Sequence, residues 1–391
     1  MKKKLLFFAV AGLALASCSS DETVNSLATS EANEINFRAF TTGLTRATDA
    51  TISNLASFTV DAYKTGTISS ASPVKYFENV AFNKVDATQT YTSSTKYYWP
   101  SSYNLDFFAY GYASTNNTGI TKNDYNEFTV VTESDPDNQV DLLYARSENW
   151  GKIDPLPANP GTSPHFIDGT PEGVTLNFRH TQSQIIIKLL NSNSNLKFTV
   201  NSVSVGNLKD RGKVTILDAN TDASGVLSSA TWDTSISGVA NITYSTEATA
   251  ATVVTSSAAQ AGKSLILIPQ TLPTPATTYE GTGNPKEYTK PYILIDLKIQ
   301  NNATGGDAAY IVGAESGDNE YVTAMWPMPN QTWAPGYKYI YIVDLAGGGY
   351  YPVNHESDDN LDPILKGAEI KFVSVTVDTW ANGGDTNVNN N

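Results

Sequence analysis

Apolar and polar residues alternate in short runs along most of the chain, and each run ends near a cluster of Gly, Pro, Asn or Asp. Alternation with a period of about two residues is typical of strands that bury one face. After residue 18 no segment keeps the period of about 3.6 residues that an amphipathic helix needs. The chain is therefore predicted to be all-β. The predicted strands of the first half are 57–63, 75–82, 105–112, 126–132 and 140–145.

The second half shows the same pattern after a loop rich in Pro and Gly from residue 155 to residue 173. Two of its runs, Ile185–Ile187 and Leu265–Ile268, are apolar on both faces, which favours central strands of a sandwich. Residues 218–262 are mostly Ser, Thr, Ala and Asn, and they predict a long hairpin or loop region. The predicted strands of this half are 174–180, 183–190, 196–205, 212–217, 264–270, 292–300, 337–345 and 369–377.

Several antiparallel strands at this spacing in each half predict two tandem β-sandwich domains. The boundary is expected within about 155–185, because the loop rich in Pro and Gly separates the two sets of strands there. We place the N-terminal sandwich at 47–180 and the C-terminal sandwich at 181–391.

One strand-like run stands apart near the start of the chain. Ile35, Phe37 and Ala39 alternate with polar residues, and Arg46 then lies alone among Thr, Gly and Ala before the next run begins. A strand followed by a segment of small residues with one basic residue is an unusual way to begin a domain, and it needs a functional explanation.

The first 17 residues predict an export signal, with Lys2, Lys3 and Lys4 before an apolar stretch of about a dozen residues. A membrane-spanning helix would need about 20 apolar residues. Ordinary signal peptidase could cut after Ala14-Leu15-Ala16. Leu15-Ala16-Ser17-Cys18 instead resembles a bacterial lipobox, in which Cys18 receives a diacylglyceryl group. We favour the lipobox because Cys18 is the one cysteine of the chain.

Residues 18–33 are polar and without a period, and they predict a flexible tether. Within the tether, Ser20-Asp21-Glu22 resembles the short acidic tract of surface lipoproteins in Bacteroidetes.

The whole chain has 391 residues, a formal charge of −14 and 16% charged residues. Because the usual charged fraction is about 25%, the composition favours an extracellular β-protein. The negative charge and the lack of a basic patch argue against binding to nucleic acid.

No motif in the sequence predicts an enzyme or a cofactor. The three histidines, His165, His180 and His355, have no spacing typical of a zinc site. His180 follows a strand, and we expect it at a domain junction or in a core. Loops 133–141 and 355–362 carry carboxylates that could bind Ca²⁺, but they lack the spacing of a calcium loop. Solvated loops are the favoured interpretation.

Aromatic residues are concentrated in 97–112, where tyrosine and tryptophan rings could bind a glycan. The candidates for a glycan contact are Tyr98 and Trp99. Aromatic residues also cover half-buried faces of strands, so packing in a core or at an edge is the favoured alternative.

Several segments, in their order and spacing, resemble the fimbrillins, which are the pilin subunits of type V pili in Bacteroidales. The resemblance covers essentially the whole chain and includes the lipobox. The segments that carry it are INFRAF…TRAT (35–48), LASFTVDAYKTG (55–66), YYWPSSYNLDFFAYGY (97–112), VTLNFRHTQSQIIIKLL (174–190), TWAPGYKYIYIVDL (332–345) and IKFVSVTVDTW (370–380).

The resemblance implies that the two sandwiches are transthyretin-like and that the precursor is anchored by a lipid on Cys18. It also implies cleavage after Arg46 by an arginine-specific protease, which would leave Ala47 as the new N-terminus. Cleavage would release the lipid anchor and the first strand, residues 34–46, and the subunits would then polymerise by strand exchange.

The sequence also contains a candidate for the strand that replaces 34–46. Removing a strand leaves unpaired N–H and C=O groups and an apolar groove, which a strand of another subunit can fill. Glu369-Ile370-Lys371-Phe372 repeats the pattern of Glu34-Ile35-Asn36-Phe37. The apolar face changes phase after Phe372, which predicts a bulge or a hinge. The expected donor strand is 369–380, with Ile370, Phe372, Val373, Val375 and Val377 as its contact residues.

We therefore expect a structural pilin, first an outer-membrane lipoprotein and then part of an extracellular fimbrium for adhesion or biofilm formation. Its partners would be other pilin subunits, an arginine-specific protease and a surface ligand. The alternatives are a tip or anchor subunit that does not polymerise, a glycan-binding surface lipoprotein and an unrecognised glycosidase. Removing residues 1–46 deletes five basic and four acidic residues, so the formal charge moves from −14 to −15. A change in net charge therefore does not explain how cleavage would start polymerisation.

Overall fold

The structure is a computed structural model, and it describes residues 34–41, 55–70, 72–85, 90–112, 119–151, 165–166, 173–217, 227, 229–247, 252–302, 309–367 and 371–380. Within these ranges the regular elements are β-strands and two single turns of 3-10 helix, Pro136–Asn138 and Leu345–Gly347. The prediction of an all-β chain is confirmed. None of the helical turns among these residues has the length and apolar character that a membrane crossing requires.

The N-terminal half forms an eight-stranded sheet that closes on itself. Its order is β10-β1-β4-β3-β2-β5-β8-β9. Strand β10 also pairs with β8, at Arg179–Tyr144 and His180–Leu143, so seven strands form a closed barrel and β9 lies outside it. The strands of this half are β1 (Phe37–Thr41), β2 (Ser57–Lys64), β3 (Lys75–Lys84), β4 (Thr90–Ser93), β5 (Leu105–Gly111), β6 (Ile120–Asp124), β7 (Glu127–Val131), β8 (Leu143–Gly151), β9 (His165–Phe166) and β10 (Val174–His180).

The barrel has one apolar core, because alternate side chains of its strands point inward. Aromatic rings fill much of it, and the rings of Phe58 and Tyr91 have centroids 4.6 Å apart and are tilted by 46°. The main core side chains come from every part of the barrel: Ile35, Phe37, Phe58, Val60, Phe82, Tyr91, Leu105, Phe107, Leu143, Val174, Leu176 and Phe178.

The C-terminal half has fifteen described strands, most of them in two sheets that face each other. One sheet has the order β17-β11-β24-β25, with β18 on β11, and the other has the order β15-β12-β20-β21, with β16 on β12 and β22 on β20. The strands are β11 (Ser183–Leu190), β12 (Leu196–Lys209), β13 (Arg211–Ile216), β14 (Ala230–Asp233), β15 (Asn241–Ser245), β16 (Thr252–Val253), β17 (Ala259–Gln260), β18 (Leu265–Leu267), β19 (Thr271–Leu272), β20 (Tyr292–Asn301), β21 (Tyr310–Val312), β22 (Val322–Pro327), β23 (Gln331–Thr332), β24 (Tyr337–Asp344) and β25 (Lys371–Thr379).

The core between these two sheets follows from the alternation in the sequence. Along β20 the side chains alternate between buried and half-buried positions, with Ile293, Ile295, Leu297 and Ile299 facing inward. They pack against inward residues of the other sheet, including Tyr341. The arrangement is that of a sandwich with one face of each sheet buried.

The two halves are joined by a sheet to which both contribute. Its order is β14-β13-β7-β6, and β13 pairs antiparallel with β7 from Arg211–Val131 to Thr215–Glu127. A separate apolar cluster under this sheet combines Phe128 and Leu142 with Val214 and Ile268. The halves therefore share structure, and the boundary between residues 180 and 181 stays a prediction, as does a transthyretin-like form. The prediction of two antiparallel sandwiches is wrong in two respects, because the N-terminal half is a closed barrel and because β1 with β10 and β11 with β24 pair in parallel. These neighbours are far apart in the sequence, so no hairpin forces them to be antiparallel.

The structure bears differently on three of the predicted segments. Ile185–Ile187 lies in β11, which has partners on both edges, so the prediction of a central strand is confirmed. Leu265–Ile268 was expected to be central too, but β18 has three residues and pairs only with β11 among the described strands. Leu265 and Leu267 are buried in the core of the C-terminal half, and Ile268 is buried in the cluster that both halves share. The side chain of Gln139 accepts a hydrogen bond from Ile266 N. The predicted hairpin or loop region 218–262 contains the short strands β14 to β17.

One glycine allows the backbone of β10 to begin directly beside β1. Gly173 has a φ of +72°, and a Cβ atom there would lie 2.6 Å from the carbonyl oxygen of Asn36. Val174 N–H donates a hydrogen bond to that same oxygen, at 2.8 Å. A side chain at position 173 would therefore push against the backbone just before β1.

Gly173→Ala should destabilise the barrel more than Gly66→Ala, which is a matched control. Gly66 also has a positive φ, of +77°, but a Cβ atom there would meet nothing within 4 Å. We expect Gly66→Ala to lower the free energy of unfolding by about 1–2 kcal/mol through backbone strain. The clash at position 173 should add roughly 1–3 kcal/mol. Urea unfolding of both variants measures the difference, and equal losses would contradict the close approach.

Candidate assembly site

Strand β1 is held on both edges of its backbone. It pairs in parallel with β10 along its whole length, from Phe37–Val174 to Thr41–Phe178, and antiparallel with β4 at Phe37–Tyr91. Just before the strand, Ile35 N–H donates to the carbonyl oxygen of Tyr97 at 2.8 Å. Five residues of strand thus complete a barrel that would otherwise be open between β10 and β4.

The side chains of Ile35, Phe37 and Ala39 point into the barrel, and each is 0% exposed. The ring of Phe37 makes edge-to-face contacts with Phe82 and Phe107, with centroids 4.6 and 5.1 Å apart. The prediction that these three residues form the inward face of one strand is therefore consistent with their positions. We call the space that they fill, between β10 and β4 and lined by Phe82 and Phe107, the β1 groove.

Burial of this strand is a large share of the stability of the barrel. Burying an Ile or Phe side chain contributes roughly 1.5–3 kcal/mol each. Without β1, the facing edges of β10 and β4 would also have unpaired N–H and C=O groups, which favour pairing with another strand. The β1 groove is therefore a site that requires an extended apolar segment.

The residues predicted for processing lie outside the described part of the chain. Cys18, Arg46 and Ala47 fall in ranges that the structure does not describe. In the sequence Arg46 lies between Thr41, the end of β1, and Leu55, a core residue just before β2. A cut there would sever the covalent connection between β1 and the rest of the barrel.

The predicted donor strand is β25, at one end of its sheet. It pairs antiparallel with β24 from Asp344–Lys371 to Tyr337–Thr379, and no described strand pairs with its other edge. The predicted irregularity after Phe372 is confirmed, because Phe372 pairs with Val343, Ser374 pairs with Ile342 and the residue between them is left out. That residue is Val373, so a bulge interrupts the strand there.

The side chains of β25 are less buried than those of β1. Val375 and Val377 pack against the C-terminal core but are half-buried, and Ser374 is exposed. Ile370 lies outside the described residues, and for Phe372 and Val373 the backbone alone is described. In this chain β1 and β25 belong to different sheets, and β25 lies at the edge of its own.

The two residues proposed for a glycan contact differ in their exposure. Trp99 is 9% exposed and lies in the barrel core, with its ring edge-to-face to Phe107 at 5.8 Å. Its ring is not available as an open platform, which agrees with the core alternative. Tyr98 is 44% exposed, and its carbonyl oxygen accepts a hydrogen bond from the hydroxyl of Tyr76.

In the described part of the chain, one group of acidic side chains has the geometry of a cation site, and a lysine lies within it. Oxygens of Asp135, Asp137 and Glu247 lie within 4.8 Å of one another. The ammonium group of Lys263 donates to both Asp137 and Glu247. These hydrogen bonds raise the pKa of Lys263, and its single positive charge lies between two of the three carboxylates. The second acidic loop is organised by Asp362, which accepts from the backbone of His355 and Glu356.

The histidines have no catalytic arrangement among the described residues. His180 is 5% exposed and lies where the two halves meet, as expected, with its Nδ1 atom 2.8 Å from Oδ2 of Asp141. His355 lies in an exposed loop with Nδ1 2.9 Å from the carbonyl oxygen of Val353. For His165 the backbone alone is described.

Two residues that support these strands had no predicted role. Gly173 precedes β10 directly, and a glycine just before a strand was the available signal. Trp380 follows β25, is 2% exposed and stacks on His180. An aromatic residue directly after the last strand was visible in the sequence, but its partner is distant and was not predictable.

Three comparisons place the chain among known proteins. The model of the fimbrillin-like family matches residues 45–380. The fold is similar to the crystal structure of a fimbrial protein from Bacteroides vulgatus, with 14% identity, a TM-score of 0.50 and coverage of 85% of this chain and 100% of that chain. A search of curated proteins found no match.

Two further solved structures are similar at lower scores. One is a putative cell adhesion protein from Bacteroides ovatus, with 15% identity, a TM-score of 0.42 and coverage of 85% of this chain and 98% of that chain. The other is the tip fimbrial protein Mfa3 from Porphyromonas gingivalis with a C-terminal truncation, with 9% identity, a TM-score of 0.33 and coverage of 89% and 98%. The match to the family model covers most of the sequence. The chain belongs to the fimbrillin-like family.

Proposed function

We propose that this protein is a structural subunit of a surface fimbrium that polymerises by strand exchange. It is exported as a lipoprotein anchored through Cys18 in the outer membrane. An arginine-specific protease cuts after Arg46, and Ala47 becomes the N-terminus. The β1 groove is then filled by β25 of another subunit. Membership of the fimbrillin-like family and the fold of a fimbrial protein support a structural and adhesive role at the cell surface rather than an enzymatic one.

The observation that carries this proposal is the position of β1. It completes the barrel, and its inward residues Phe37 and Ala39, with Ile35 just before them, are 0% exposed, yet the predicted cut after Arg46 follows it in the sequence. The match with the family model begins at residue 45, so it leaves out the strand and includes Arg46. A strand that is both essential for closing the barrel and removable by one cut is suited to a placeholder.

A cut would change the competition for the β1 groove without changing any contact. While β1 is connected to β2, its effective concentration at the groove is in the millimolar range, as for any segment on a short linker. After the cut it competes as a free peptide at its bulk concentration. A donor strand then wins by mass action if its own contacts in the groove are comparable.

Strand β25 has the properties that such a donor requires. It has nine residues against five in β1, and it lies at the edge of its sheet, where leaving breaks one row of hydrogen bonds. Its candidate contact residues are Ile370 and Phe372 before the bulge and Val373, Val375 and Val377 from the bulge onward. Either set presents apolar side chains at alternate positions, as Ile35, Phe37 and Ala39 do.

Cleavage of the purified chain by an arginine-specific protease should allow linear polymers to form. Because β1 is buried, we expect the cut fragment to stay bound at first and to be lost as polymers grow. Native mass spectrometry follows the fragment, and electron microscopy follows the polymers. Arg46→Gln should stay uncut at this position and monomeric, whereas Arg38→Gln, a change within β1, should still be cut after Arg46. Cut protein that stays monomeric would contradict the structural role.

A synthetic peptide of residues 369–380 should inhibit this polymerisation, because it would occupy the β1 groove without offering a new one. The matched control is the same peptide with Val375→Asp and Val377→Asp, which places charges on the apolar face and should have no effect. Light scattering of cut protein with each peptide measures the rate of growth. Equal rates with both peptides would show that β25 is not the donor.

A further inference from the structure

The C-terminal end of β25 is fixed where the two halves of the molecule meet. The indole ring of Trp380 stacks on the imidazole of His180, with ring centroids 3.9 Å apart and an angle of 6° between the planes. His180 belongs to β10, and its Nδ1 atom lies 2.8 Å from Oδ2 of Asp141 in the loop before β8. We call these three residues the terminal lock.

Backbone hydrogen bonds connect the same end of β25 to the barrel. Trp380 N–H donates to the carbonyl oxygen of Gly336 at 2.9 Å, and Gly336 N–H donates to that of Gln182 at 2.8 Å. The side-chain oxygen of Gln182 accepts from Leu142 N–H at 2.9 Å. The end of the C-terminal strand is thus positioned by residues of the N-terminal half.

The rest of β25 is held more loosely than its end. Ser374 is exposed, and Val375, Thr376 and Val377 are half-buried on a strand with one paired edge. Trp380 is 2% exposed. The buried side chains described in this segment are those of Asp378 and Trp380, and that of Trp380 is the larger.

Three polar atoms in and next to the terminal lock have no hydrogen-bond partner, which suits a contact that must open. Among the described residues, Trp380 Nε1, Gln182 Nε2 and Thr181 Oγ1 are buried without a hydrogen-bond partner. A buried donor without an acceptor raises the free energy of the state that contains it. When β25 leaves, Trp380 Nε1 gains access to water, and part of the cost of opening is recovered.

We propose that His180 is a positioning residue for assembly, because its ring holds Trp380 and thereby sets how fast β25 leaves its own sandwich. The inference rests on the proposed function in taking β25 as the donated strand. Asp141 acts one step further away, since it fixes the plane of the His180 ring through Nδ1. His180 lies in β10, which borders the β1 groove of its own subunit, but β1 pairs with β10 only as far as Phe178.

Hydrogen exchange of the full, uncut chain tests the lock without any assembly. His180→Ala should increase exchange of the β25 amides, residues 371–380, by roughly three- to tenfold, as expected for losing one aromatic stack. His180→Phe keeps a flat ring and should restore protection close to that of the wild type. The control is His355→Ala, which removes an imidazole 4.6 Å from the ring of Tyr351, outside the lock.

Two outcomes of this experiment would overturn the lock. One is unchanged exchange in β25 of His180→Ala. The other is an equal increase in β11 and β20, which would indicate general destabilisation. If His180→Ala does not fold, Trp380→Leu tests the same prediction, because it removes the other ring of the stack. It should give the same local increase in exchange.

The rate of polymer growth after cleavage at Arg46 then tests whether the terminal lock affects assembly, separately from the proposed function. His180→Ala should polymerise faster than the wild type by a factor similar to its increase in exchange, and His180→Phe should match the wild type. Growth of His180→Ala at the wild-type rate would overturn the role of the lock in assembly. If β25 shows the predicted protection in hydrogen exchange but the cut wild-type protein forms no polymer, the result contradicts the proposed strand exchange and leaves the terminal lock standing.

Discussion

The structure depends on one strand being paired on both edges. Strand β1 closes the barrel between β10 and β4, and Phe37 lies at the centre of the aromatic packing inside it. Unpaired backbone groups and an exposed apolar groove are each unfavourable, so the barrel needs some strand in this position. It does not need that strand to belong to the same covalent segment, and this freedom makes exchange between subunits physically reasonable.

The two strands proposed to exchange are unequal in a way that gives assembly a direction. Strand β1 is short, is paired on both edges and has buried inward residues, whereas β25 is longer, lies at an edge and ends at the buried Trp380. A protease cut would lower the effective concentration of β1 at its groove, and opening of the terminal lock would release β25. Both controls act on the connection or anchoring of a strand and leave the groove itself unchanged.

The sequence predicted the strands well because burial of one face imposes a period of two residues. The inward face of Ile35, Phe37 and Ala39 and the irregularity after Phe372 were both visible as patterns of apolar positions. Patterns of this kind do not show which strands pair. The parallel neighbours β1 and β10, and the sheet in which β13 joins β7, are contacts between segments far apart in the sequence. The stack of Trp380 on His180 was hidden for the same reason.

A disulfide between subunits tests the central claim most directly, because Cys18 is the one cysteine of the chain and would be lost on cleavage. Thr175 lies opposite Arg38 of β1 on β10, on the outer side of the β1 groove. One population of cut protein would carry Thr175→Cys and another Ser374→Cys, and the two would be mixed under oxidising conditions. If β25 of one subunit lies in the β1 groove of the next, at a register that brings these positions opposite each other, the account predicts dimers that link the two populations across neighbouring strands. A scan of single cysteines from Ser374 to Asp378 that yields polymers but no such link at any position would contradict it.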